Sequence, residues 1–68
     1  MTKEQAIAEA KKEANKNNVT IVVVNDPIAN AEDETGPYGY CPIFAKDMLF
    51  RFGTVEEIIK PARTTQVV

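Results

Sequence analysis

The chain has 68 residues, 44% of them apolar and 26% charged, with eight Lys and Arg against ten Asp and Glu and no His. That length supports one small core and excludes two domains, because a chain of this size buries only about 60% of its unfolded surface. Ordinary apolar content and a net charge of −2 argue against collagen-like, low-complexity and broadly disordered classes.

Residues 2–16 read as a helix. Thr2 and Gln5 match the capping box, in which two side chains reciprocally satisfy backbone donors at the helix start. Alanines at 6, 8, 10 and 14 favour helix, and Glu9–Lys12 and Glu13–Lys16 are favourable i,i+3 pairs. The apolar face, Ile7, Ala10 and Ala14 with Ala6, is made of small residues that let a helix lie close to a sheet. Asn17 and Asn18 tolerate the left-handed conformation that ends helices.

Val19 to Val24 is β-branched throughout, which predicts a strand. Its apolar pattern is continuous rather than alternating, so both faces are expected to be covered. Asn25-Asp26-Pro27 stops it. Residues 26–36 then form a loop with Asp26, Glu32, Asp33 and Glu34 and no basic residue. Tyr38-Gly39-Tyr40 fits a short strand pairing back on the first.

Cys41-Pro42 opens a second helical pattern over residues 42–52, with proline at the first position and Gly53 just past the end. Phe44, Ala45, Met48, Leu49 and Phe52 make its apolar stripe, and Asp47–Arg51 is an i,i+4 pair opposite. The alternative is a hairpin in which Met48, Phe50 and Phe52 alternate, although Ala45-Lys46-Asp47 is a weak turn. For residues 54–60 a strand is favoured over a short helix capped by Thr54 and Glu57, since Pro61 leaves about six residues, a marginal helix. Residues 61–68 lack periodicity and read as a mobile tail. The expected class is α+β: residues 1–60 as one domain, two helices on a sheet of about three strands, in the order α-β-(β)-α-β.

The basic residues are dispersed among acids rather than gathered in a patch, which disfavours nucleic acid as a partner. The longest strongly apolar run, Ile21 to Val24, is far below the ~20 residues of a membrane span, and the N-terminus has no apolar signal-peptide core. Cys41 is alone and so forms no internal disulfide, unlike most secreted domains of this size, which points to the cytoplasm. Without His, the usual zinc sets are missing, and the loop acids do not follow the EF-hand spacing. Neither a metal nor a cofactor is expected.

Two features invite a chemical reading. A thiol at a helix N-terminus feels partial positive charge that favours thiolate, so Cys41 is a candidate reactive thiol; with no His to act as base, packing is the favoured role. Glu56 and Glu57, adjacent on a strand, should point to opposite faces, which argues against a carboxylate dyad. No phosphate-binding glycine motif is present. The chain therefore reads as non-enzymatic.

The Gly36–Pro42 segment sets Tyr38 and Tyr40 among glycines and prolines beside the acidic loop. Tyrosine is enriched at interfaces, and a row of acids steers basic partners. The expectation is a small cytoplasmic interaction module of the accessory or inhibitor kind known from bacteria and phages, an analogy of scale only. Its partner would be a basic protein or a second copy. Binding would centre on Tyr38, Tyr40, Asp26, Glu32, Asp33 and Glu34. The alternative is a small-ligand or nucleotide sponge with a pocket at a subunit interface. Self-association is expected because two short helices, one of them alanine-faced, offer too little apolar surface to cover both faces of the sheet.

Overall fold

A computed structural model describes residues 1–62. It comprises α1 (Lys3–Asn17), β1 (Ile21–Asn25), β2 (Tyr38–Pro42), a 3-10 turn (Ile43–Ala45), α2 (Lys46–Leu49) and β3 (Thr54–Ile59). The three strands form one antiparallel sheet in the order β2-β1-β3. The α+β class and the α-β-β-α-β order are those expected from the sequence.

Helix α1 starts as its capping box dictates. Gln5 N–H donates to Thr2 Oγ1 at 3.1 Å, and Thr2 N–H donates to Gln5 Oε1 at 3.0 Å. Asn18 ends the helix with a φ of 54°. One turn apart on a single face, Ala6, Ala10 and Ala14 are completely buried against Ile21 and Val23. Alanine brings almost no apolar area of its own. What it provides is proximity, so that the helix lies close over Ile21 and Val23, with Ile7, Val19, Tyr38, Tyr40 and Ile59 packed around them.

Side chains alternate along a strand, so Val22 and Val24 face the other side of the sheet. All four residues from Ile21 to Val24 are buried, which accounts for the unbroken apolar run. Val22, Val24 and Cys41 form a second cluster, and Phe50 packs on it. Gly39 makes this contact feasible: a Cβ there would stand 2.7 Å from Phe50 Cζ.

The segment after β2 departs from its predicted form. Pro42 ends a strand rather than opening a helix, in extended conformation (φ −57°, ψ 143°). Its missing N–H is harmless on an edge strand. Ile43 N–H carries the pairing one step further by donating to Thr20 O at 3.0 Å. Helical backbone lasts only from Ile43 to Leu49, and Phe50 leaves it at φ −135°, ψ 59°. The helix expected over 42–52 thus forms in shortened form, and the alternative hairpin does not form. So short a helix cannot carry its period to Phe52, and the predicted stripe does not become core: Phe44, Met48, Leu49 and Phe52 are exposed, while Phe50 does the packing. The Asp47–Arg51 pair also gives way. Asp47 lies 3.8 Å from Lys46 Nζ, and Arg51 sits 5.6 Å from the centroid of the Phe52 ring.

β3 forms over nearly the expected span and excludes the short-helix alternative. A bulge at Glu56 interrupts its pairing, since Val23 faces Glu57 while Val24 faces Val55. Glu56 and Glu57 therefore both come within reach of Lys3 Nζ, at 3.5 and 4.0 Å, instead of separating to opposite faces. Beyond β3, Ala62 N–H donates to Asn15 Oδ1 at 2.7 Å, which ties the start of the expected tail to α1. The remainder of that tail, residues 63–68, lies outside the described residues.

Candidate functional site

The loop between β1 and β2 is organised by Asp26. Its side chain is only 3% exposed. Oδ1 accepts from Ile28 N–H at 3.1 Å and Ala29 N–H at 2.9 Å, as an aspartate does in an Asx-type turn. Its own N–H donates to Pro37 O, and its carbonyl accepts from Asn30 N–H. Asn30 Nδ2 then bridges the carbonyls of Asp26 and Pro37 at 3.0 and 2.9 Å. These bonds bring the two ends of the loop together and set the start of β2. Asp26 is thus turned inward rather than displayed to a partner, and Asn30, which composition gave no reason to single out, shares the task.

Asp33 is occupied as well. Its carboxylate holds the Met1 ammonium and accepts from the backbone and hydroxyl of Thr35, and the ammonium also donates to Gly36 O at 3.1 Å. The bond to the ammonium, with those from Thr35, holds the Asp33 carboxyl well below the usual carboxylate range. A group whose folded pKa is depressed stabilises the fold fully above its unfolded value of about 3.9, and that contribution fades as pH falls below it. Asp33→Asn is therefore expected to lower stability at pH 7, with the gap from the unaltered chain narrowing progressively below pH ~4. Paired denaturant titrations from pH 7 to 2.5 check this; a gap constant over that range would mean that the clasp contributes nothing. Glu32 and Glu34 are exposed.

Tyr38 and Tyr40 are half-buried against the cluster built on Ala6, Ala10 and Ala14. Burial, reinforced by Glu9 and Glu13, pushes the Tyr40 hydroxyl pKa up. The hydrogen bonds on Pro37 place Tyr38 directly beside the acidic loop, yet both rings serve the helix-side core. Cys41 points the other way. It stands inside β2, not at a helix start, and is buried with Val22 and Val24. Burial raises its thiol pKa, partly countered by Lys46, so it lacks the thiolate bias that a helix N-terminus would confer.

The surface with the largest unmet demand is on that second side of the sheet. Phe50 docks on Val22, Val24 and Cys41, so the chain from Ile43 to Phe52 crosses this face. Phe44, Met48 and Phe52 are 80%, 85% and 78% exposed, and Ile43 and Leu49 are more than half exposed. Ile58 pairs with Val22, and Val55 with Val24, so both extend the same face along β3, where they too are exposed. Reading the stripe from sequence located Phe44, Met48, Leu49 and Phe52 but took them as a covered helix face, and it did not single out Ile43. Its spacing held no sign that the helix would stop at Leu49.

Among the described residues no three His, Cys, Asp or Glu side chains are grouped to hold a metal ion, and no helix is long and apolar enough to cross a membrane. No protein-family model, curated protein or solved structure matches the chain.

Proposed function

We propose that the chain is a small non-enzymatic cytoplasmic interaction module, and that its working surface is the apolar side formed by the 43–52 segment with Val55 and Ile58. The observation that carries this reading is the exposure of Phe44, Met48 and Phe52, all on the segment that Phe50 docks against one side of a sheet whose other side packs on α1. Soluble monomers rarely present contiguous apolar patches beyond a few hundred Å², and larger ones mark interaction sites. Aromatic and methionine side chains are also those that interfaces favour. This moves the binding centre away from the Tyr38–Tyr40 segment and the loop acids. Glu32 and Glu34 remain free to steer a basic partner, which raises the association rate more than the affinity.

The test is capture from a host extract by the intact chain and by a Phe44→Ser/Met48→Ser variant. Both side chains are exposed, so circular dichroism should be unchanged, while retention of any specific partner should fall about 30-fold or more if these are central anchors. Tyr38→Ala and Tyr40→Ala serve as the comparison. Undiminished capture by the serine variant, with loss on either tyrosine change in a folded chain, would return the site to the tyrosine segment.

A further inference from the structure

We infer that the occupant of this apolar side is a second copy of the chain, in a two-fold symmetric, face-to-face homodimer. The inference rests on the reading of that side as the working surface and names its partner. Three observations lead to it: the area, the charge and the state of the sheet edges.

The area fits. Large side chains such as phenylalanine present roughly 150–250 Å² each when fully exposed, so Phe44, Phe52 and Met48 at about four-fifths exposure, with the half-exposed Leu49, Ile43 and Ile58, offer at most on the order of 800 Å². That matches the ~800 Å² per partner of a standard stable interface. A short helical peptide would cover only part of it.

The charge also fits. Residues 43–52 carry Lys46, Asp47 and Arg51, two bases and one acid, in a chain of net charge −2. A near-neutral side of mixed sign meets its own copy without large like-charge repulsion, and a two-fold axis brings the same patch to both partners. A strongly charged partner would find its complement elsewhere, in the acidic loop.

The sheet edges are poor alternatives. In an antiparallel ladder the N–H groups of one strand point alternately toward and away from its neighbour. Tyr38 N–H is spent on Met1 O at 3.1 Å, and Pro42 has no N–H. By the alternation, Tyr40 is then left as the one outward donor of β2 within its strand span. On β3 the bulge at Glu56, with Glu56 and Glu57 beside Lys3, twists and charges the other edge. Joining two sheets edge to edge is therefore disfavoured at both ends, and burying the face remains.

Sedimentation equilibrium of the full chain is expected to give twice the 7.5 kDa chain mass at ~100 μM. Phe44→Asp with Met48→Asp should weaken association about 30-fold or more while circular dichroism stays unchanged, because neither side chain supports the monomer. Isotope-filtered NMR on a mixture of labelled and unlabelled chains should show the Met48 methyl in contact with Phe44 or Phe52 of another copy. A monomer at ~100 μM overturns the homodimer. If that monomer still captures a partner through Phe44 and Met48, the interaction reading stands with a different occupant; if capture is indifferent to them, both readings fall. Contacts from residues 63–68 of the same chain onto Phe44 would overturn it in favour of self-capping. A dimer insensitive to the aspartate variant would overturn the assigned face.

Discussion

Ala10→Leu is expected to lower the thermal midpoint by about 10 °C or more, whereas Ala8→Leu should change it little. Ala10 is completely buried between Ala6 and Ala14, with Ile21 and Val23 beneath. Three added heavy atoms have no vacant volume to enter, so α1 must lift from the sheet or Val23 must leave its rotamer. Overpacking of this kind costs about 1–3 kcal/mol. In a domain this small, each kcal/mol shifts the midpoint by roughly 4–8 °C. Ala8 is exposed on the same helix, and leucine has nearly the helix propensity of alanine, so it isolates the steric effect. Thermal unfolding followed by circular dichroism decides the point. Equal responses at the two positions would mean that the alanine face is not a close-packed seam.

How far the fold was legible depends on where the determining interaction is local. The start of α1 is written in Thr2 and Gln5, three residues apart, and its end in Asn18; both act within a turn and both are found as read. β1 was legible because Ile21 to Val24 leave no polar face, which fits a central strand best. The 42–52 segment was not. Its helical spacing is real, and so is the favourable position of proline, but whether Pro42 starts a helix or ends a strand depends on β1, about twenty residues away. Once Cys41 pairs with Val22, Pro42 is committed to extended backbone and the helix loses its first turn. Phe50, outside the helical stripe, then gains its place because Gly39 has no side chain to exclude it.

The candidate site suffered from a similar difficulty. An acid-rich loop beside two tyrosines looks like a display surface in one dimension. In three dimensions four of the six have separate obligations, Asp33 to the chain's own ammonium, Tyr38 and Tyr40 to the alanine face and Asp26 to its turn, while Glu32 and Glu34 stay exposed. Sequence gives residue types and spacing, but the direction in which a loop carboxylate points follows from how the loop closes. The apolar side was hidden by the opposite error, since a stripe of large hydrophobic residues is ordinarily core. Its exposure here follows from the small number of helical turns available to cover the second face of the sheet.

Asp26→Ala is expected to cost about 1–3 kcal/mol, as removal of a buried acceptor does, while Asp26→Asn should cost less than half as much. The alanine variant removes Oδ1 and leaves the N–H groups of Ile28 and Ala29 without their acceptor. The turn then loosens, and with it the Asn30 bridge that joins the carbonyls of Asp26 and Pro37. Asparagine keeps an oxygen at the same place and can still accept from both donors; the charge is lost and an NH2 replaces Oδ2, which accepts neither of these bonds. The two substitutions therefore separate a structural acceptor from a binding charge. Equilibrium denaturation should rank the proteins as unaltered, then asparagine, then alanine, and the amide signals of residues 28–38 should shift mainly in the alanine variant. If asparagine proves as damaging as alanine, the negative charge itself matters and Asp26 has a role beyond the turn. If neither matters, the loop does not depend on Asp26 for closure, and the attachment of β2 must come from Asn30 and the strand pairing alone.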